Sequence, residues 1–383
     1  MGGPGETAAL TGRSVPPTLW AVTDARRGGG SASRIFTVLR WAAFLGCVGL
    51  FVHALAQSNL TLAWGRIRAI GPVALVVMVP FPIAIALDAW AWKVLLAGLD
   101  RRVPFGTLFK VRLASEAVTS SAPLGALLAD ALQPVLVARR ADVPLEDVYA
   151  ASTAKRWTVV RMHGTYVTVA CAFGRDTLDR ASPALLHSAW LLALCLASAG
   201  GLVLVSIGIE TLAARGQVAG RVSGMLGNAR FTRLKTWIEV RQHRFAHADV
   251  QLARLSRNTG VGLSASWRML GLWIFEGLET YVIFRLLGAP LGFVEVMAID
   301  AALSVVRSSA MFAPAGIGVQ DVGYFAMLDA LGVPGAASLG PAFIVIKRVK
   351  EAIWVAIGFA ILARLGPRED LQALKEEVAA HSS

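Results

Sequence analysis

Apolar residues run almost unbroken from Ile35 to Ala56, Val73 to Leu87, Leu185 to Ile207 and Trp354 to Leu365. With their flanks these runs approach or reach the ~20 residues that carry a helix across a ~30 Å hydrocarbon core. The pattern predicts full spans near residues 35–57, 70–97, 145–173, 184–207, 261–288 and 337–364. Two other apolar stretches, Phe105 to Val137 and Phe293 to Leu331, are cut in the middle, the first at Pro123 and Gly125, the second at Pro314, Gly316 and Gly318. Proline removes a backbone donor and clashes with the preceding turn, while glycine permits dihedrals and close approaches that other residues do not. Each half-stretch is too short to cross alone, and irregular backbone at membrane depth persists only where protein or a water-filled cavity covers it. The expected fold is an all-α polytopic membrane helix bundle, with about six full spans plus two broken re-entrant helical hairpins.

The two broken stretches are copies. Pro123, Gly125 and Asp130 recur with the same spacing as Pro314, Gly316 and Asp321, each set preceded by Ser-Ser-Ala (Ser120 to Ala122 and Ser308 to Ala310). Val143-Pro144 answers Val333-Pro334, and Lys155-Arg156 answers Lys347-Arg348. Internal repeats with Gly/Pro-interrupted apolar segments point to a substrate path at their interface. The chain divides into an arm (1–33), a membrane domain (34–366) and a tail (367–383). Within the domain lie repeat A (about 104–173), a basic loop (208–258) and repeat B (about 292–364).

Composition agrees with a membrane protein. Hydrophobic residues make up 55% and charged residues 16% of the chain, against about a quarter charged in soluble domains; mean hydropathy is +0.59. Cys47, Cys171 and Cys195 all lie in apolar runs, which reads as small buried residues and not as a disulfide framework. The net charge of +12 collects at the ends of apolar segments and in the basic loop. That is the mark of a cytoplasmic membrane face, not of nucleic-acid binding. The arm lacks the apolar stretch of a signal peptide and is expected to be disordered and cytoplasmic. Arg26, Arg27, Arg34 and Arg40 set the first span's start inside, and parity then leads to the loop at 208–258. That loop carries Arg215, Arg221, Arg230, Arg233, Lys235, Arg241, Arg244, Arg254 and Arg257 against Glu210, Glu239 and Asp249. Counting on, Arg364 and Arg368 return inside, so both termini are cytoplasmic and the two hairpins enter from opposite faces as an inverted repeat.

Many charges fall where a bilayer penalises them by at least ~2.5–3.5 kcal/mol each. Lys155, Arg156, Arg161, Arg307, Lys347, Arg348 and Lys350 are the candidate contacts for an anionic headgroup. Pro123, Gly125, Pro314, Gly316 and Gly318 are the candidate hairpin hinges, and the helix after each break would aim its positive end at the same midplane point. Asp130, Glu276, Glu279, Asp321 and Glu351 are candidates for ion coupling or charge pairing. Glu276 and Glu279 share a face, and Glu351 is within reach of Lys347 or Arg348. Charges buried in pairs between helices would be the purely structural alternative. His243 and His247 have the spacing of a metal pair but lack a third ligand, so neither metal nor cofactor is expected. The segment from Phe231 to Leu255 interleaves apolar and basic residues, as a surface helix on anionic lipid or a cap on the bundle would.

The stretch from Ala313 to Tyr324, with Leu331-Gly-Val-Pro and Lys347-Arg348 after it, resembles the second signature of the flippase-like, lysylphosphatidylglycerol-synthase transmembrane-domain family. The subgroup most similar is the hopanoid-biosynthesis-associated set, and the resemblance covers roughly residues 35–364. It implies lipid translocation or handling in a bacterial inner membrane, with roles carried onto Pro314, Gly316, Gly318, Asp321, Lys347 and Arg348, followed by Glu351. Departures are Ala315 between the proline and glycine, Asp321 where the family has Glu, and Leu128-Ala129-Asp130 in the first copy. Aminoacylating members carry a soluble catalytic domain after the membrane region; here only a short tail follows Arg364, so lipid aminoacylation is not expected.

The expected function is a lipid flippase or transporter for an amphiphile with a polar or anionic headgroup, phospholipid or hopanoid-like, rather than an enzyme. No Gly-x4-Gly-Lys-Ser/Thr string occurs, so ATP is not the direct energy source. The rivals are an intramembrane lipid-modifying enzyme, a soluble-substrate or ion transporter, and a membrane partner of a lipid-synthesis enzyme. Protein partners compatible with these readings are a second copy of the chain or such an enzyme.

Overall fold

A computed structural model describes residues 60–121, 125–215, 242–309 and 318–365. The expected first span, the arm, the tail, Pro123, Pro314, Gly316 and residues 216–241 of the basic loop lie outside the described residues. Among those described, the regular structure is all helix. In chain order the elements are α1 (Leu60–Ile70), a 3-10 helix (Gly71–Met78), α2 (Pro80–Ala97), α3 (Phe105–Ser121), α4 (Gly125–Ala141), α5 (Leu145–Phe173) and α6 (Arg175–Leu186). Then follow α7 (Leu191–Ala214), α8 (Gln242–Arg257), α9 (Thr259–Leu286), α10 (Phe293–Ser309), α11 (Val319–Ala330) and α12 (Ala336–Leu365).

Local chemistry sets the boundaries. Pro144 precedes α5, whose first turn carries Glu146 and Asp147 against the exposed N–H groups. The Asn258 side chain accepts the Val261 N–H at 3.2 Å and caps α9. The stretch expected as one span near 70–97 is instead bent. Gly71 sits at φ 57°, Pro72 follows, and Pro80 and Pro82 open α2, so the backbone tightens into the 3-10 helix between them. The gap between the spans expected near 145–173 and 184–207 is helix α6, which ends at His187 in a left-handed conformation, and the helix that follows starts only at Leu191. Of the loop expected over 208–258, residues 208–214 continue α7 and residues 242–257 form α8, which buries Leu252 and Leu255 in the bundle core and packs on α5 and α7.

The repeats correspond element by element: α3, α4 and α5 with 17, 17 and 29 residues, and α10, α11 and α12 with 17, 12 and 30. At ~1.5 Å per residue the 17-residue arms reach about 25 Å, short of a bilayer core, whereas α5 and α12 exceed it. The correspondence extends one helix further back, because α2 precedes repeat A as α9 precedes repeat B, and these two pack closely on each other.

Two apolar cores result. One joins α2, α3 and α4 to the first halves of α5 and α9, through residues such as Trp92, Leu108, Val137, Trp157 and Met269. The other joins α10, α11 and the start of α12 to the second halves of α5 and α9, through Tyr166, Phe284, Ile299, Tyr324 and Phe343. Between them α5 carries Arg161 and His163, α9 carries Glu276 and Glu279, and α12 carries Lys347 to Glu351. The long helices thus bring their charges to a polar layer between two oily ones.

Candidate functional site

In repeat A the charges neutralise one another. Asp88 on α2 accepts from Lys155 Nζ and from Arg112 Nε, each at 2.6 Å, and Arg112 Nη1 bonds Glu116 at 2.6 Å. Lys155 also donates to Gln133 at 3.3 Å and lies 4.6 Å from the Trp92 ring centre. Asp130 on α4 pairs with Arg156 on α5, and this pair is open, the side chains being 38% and 52% exposed.

Repeat B rebuilds the arrangement. Asp321 on α11 receives Arg348 Nη2 on both oxygens, at 2.7 and 2.8 Å, while Arg348 Nη1 bonds Glu351 at 2.6 Å. This pair is sealed: Arg348 is 15% and Asp321 1% exposed. Glu279 on α9 holds Lys350 at 2.5 Å, and Glu276 holds Arg307 at 3.1 Å. In each repeat, then, an acid on the leading helix grips a lysine of the last helix, an acid on that helix grips an arginine of the first hairpin arm, and the second arm's aspartate grips the arginine of the basic pair. Charges buried this way cost several kcal/mol each unless paired, which is why the acids and bases come together.

The hinge glycines have backbone reasons to be glycine. A Cβ on Gly125 would fall 2.4 Å from the Val118 carbonyl oxygen, so the turn into α4 closes only around a hydrogen. Gly318 enters α11 at φ 83°, and its N–H donates to the Asp321 carboxylate at 3.0 Å.

Lys347 has a different environment from Lys155. It is buried, and its Nζ lies 5.2 Å from the Tyr324 ring centre and 5.6 Å from that of Phe343. Among the described residues no carboxylate pairs with it. Cation–π attraction can hold a buried ammonium while leaving its three donors available. Arg161, grouped with these cations in the sequence, is elsewhere: it pairs with Glu210 on α7 and reaches Ser266 at 3.2 Å. Those residues line a cleft of about 450 Å³ between α5, α7, α8 and α9, edged by exposed Leu263 and Trp267.

Several site residues were not singled out from the sequence. Asp88 is one; its signal was available, a lone acid in an apolar run. Asp300, buried among hydroxyls, is another. Near it His163 Nε2 meets Ser304 Oγ at 2.7 Å and its ring stacks on Trp273 at 4.0 Å.

No curated protein matches the chain. The family model described as lysylphosphatidylglycerol synthase TM region matches residues 37–358, a range that takes in both hairpins, both basic pairs and the leading helices that bind them. A chain whose described regular structure is all helix, with charges paired inside apolar helices and matched over that length, belongs to the lysylphosphatidylglycerol synthase TM region family of membrane proteins, with a lipid-related role.

Proposed function

We propose that the protein carries an amphiphile with an anionic headgroup, phospholipid or hopanoid-like, across the bilayer without covalent change. The observation that supports this best is Lys347, a buried cation in the polar layer with aromatic rings and no carboxylate around it among the described residues. A phosphate-bearing headgroup supplies the missing charge. The cleft beside Arg161 opens the same level of α5 to the bundle surface, which suits sideways entry with the tail left in lipid. The two repeats, entering from opposite faces, would present this layer to each leaflet in turn, in the inner membrane of a bacterium.

The enzyme alternative draws on the Ser304–His163 contact. Ser304 Oγ also reaches the Ala301 carbonyl at 2.8 Å, so that carbonyl competes with His163 for the one hydroxyl hydrogen that an activated nucleophile must give to its base. Both side chains are also buried, which favours transport.

The test uses liposomes holding fluorescent phospholipids, with dithionite quenching from outside. Wild type is expected to expose inner-leaflet label, and Lys347→Met to lose most of that exposure while unfolding at the same temperature. Equal rates for the two proteins, or no exposure of any phospholipid by wild type, would count against the reading.

A further inference from the structure

Among the described residues five acidic side chains are buried: Asp88, Asp147, Glu279, Asp300 and Asp321. Four of them hold a cation: Asp88 has Lys155 and Arg112, Asp147 has Arg101, Glu279 has Lys350 and Asp321 has Arg348. Asp300 on α10 is bound by hydroxyls alone. Tyr324 donates to its Oδ1 at 2.7 Å, Thr280 to the same oxygen at 2.9 Å, and Tyr166 to its Oδ2 at 3.3 Å.

The difference matters chemically. Lysine and arginine only donate, so they suit only the carboxylate, whereas a hydroxyl donates to a carboxylate and accepts from a carboxylic acid. The Asp300 shell can therefore serve both protonation states by turning hydroxyl hydrogens. A second observation points the same way. Gln320 is buried and donates to the Tyr324 hydroxyl at 3.4 Å, but its Oε1 has no partner. If Asp300 carried a proton it would donate to Tyr324, whose own hydrogen would turn away. A rotated Gln320 amide would then accept it and satisfy the idle oxygen.

Tyr324 also joins this shell to Lys347, since the ring under Lys347 Nζ is the ring whose hydroxyl binds Asp300. Lys347 and Asp300 thus contact the ring and the hydroxyl of the same tyrosine. The other groups facing α10 are already engaged. On α5 these are His163 with Ser304; on α9, Glu276 with Arg307 and Glu279 with Lys350; on α11, Asp321 with Arg348. On α6, Arg180 pairs with Glu295 of α10 itself, and on α7, Glu210 pairs with Arg161. The thiols of Cys171 and Cys195 lie buried in the same apolar core.

We propose that Asp300 is a proton-binding site, ionised while Lys347 is unoccupied and protonated when an anionic headgroup sits on Lys347. The inference rests on the transport reading above and adds its coupling ion. Charge is conserved in both states: a lysine cation faces a carboxylate in one, and the same cation faces the headgroup while the carboxyl is neutral in the other. One proton then travels with each headgroup charge, and the layer never holds a net charge.

The experiment titrates the purified full chain in detergent with dihexanoyl phosphatidylglycerol, whose phosphodiester stays singly charged across the range used, so any proton taken up belongs to the protein. Calorimetry in two buffers of different ionisation enthalpy is expected to show about one proton taken up per lipid bound. Wild-type affinity should fall about tenfold per pH unit above the midpoint, because binding takes up a proton. Asp300→Asn should bind with no uptake and no pH dependence, and Tyr324→Phe should keep the uptake with a moved midpoint. Infrared difference spectra of wild type need no variant: the protonated-carboxyl stretch should grow as lipid binds. Binding without proton uptake, or uptake unchanged in Asp300→Asn, would overturn the coupling and leave the headgroup site standing. Failure of wild type to bind the lipid any better than Lys347→Met would overturn the headgroup site and the coupling together.

Discussion

The two repeats place the same residue types at the same stations and then use them differently. In repeat A the lysine of the basic pair is closed onto Asp88 at 2.6 Å, while the Asp130–Arg156 pair is half open to its surroundings. In repeat B the aspartate–arginine pair is sealed, and the lysine is left on aromatic rings with Asp300 on the far side of one of them. The contrast sets a sealed acid–base pair beside a lysine held by aromatic rings. A sealed acid–base pair holds helices together and can do little else, because undoing it strands a charge in oil. A lysine without its acid costs stability and gains a vacancy of charge that a ligand can fill.

The comparison is broken most severely at Asp88. Asp88→Ala strands Lys155 and leaves Arg112 with Glu116 alone, which should cost about 3–5 kcal/mol and appear as a large fall in unfolding temperature in detergent. Adding Lys155→Met should recover part of that fall. Next comes the lysine pair itself: Lys347→Met should leave unfolding within about 1 kcal/mol of wild type, because no described carboxylate bonds the lysine directly and Asp300 keeps its three hydroxyl donors, yet reduce lipid movement by tenfold or more. Lys155→Met should show the opposite balance. The hinge glycines sharpen the contrast further. Gly125→Ala meets backbone oxygen and should disrupt repeat A, whereas Gly318→Ala meets an unfavourable dihedral, costing about 1–3 kcal/mol. The smallest effect is expected at the exposed Arg254–Asp100 pair, where Arg254→Ala should change stability by less than about 1 kcal/mol.

Much of this was legible in the chain. A proline and a glycine inside an apolar run announce a break, and a basic pair repeated inside a second run announces a duplicated station. The span boundaries near 145–173, 261–288 and 337–364 lie close to those of α5, α9 and α12. What was not legible is who neutralises whom. Lys155 and Asp88 are 67 positions apart and Lys350 and Glu279 are 71 apart, so periodicity within one helix says nothing about them. Glu351, only three residues from Arg348, could be paired in advance for the opposite reason. Asp300 escaped notice because its partners are hydroxyls from three other helices, and a tyrosine or threonine in an apolar run gives no sign of facing an acid. The bend at Gly71 to Pro82 was hidden by uniform hydropathy.

The division into two cores has a consequence for biosynthesis. The oily packing around α2, α3 and α4 includes Ala265, Met269 and Leu272, so that half of the molecule stays open until α9 has left the ribosome. Its charges need not wait: Asp88, Arg112, Glu116, Lys155, Asp130 and Arg156 find their partners entirely within residues 80–173, as Glu276, Glu279, Arg307, Asp321, Arg348, Lys350 and Glu351 do within residues 259–365. Most of the charges of each half can therefore reach the lipid already paired, Arg161 waiting for Glu210 on α7, and the nascent chain delays chiefly the grease that joins the halves.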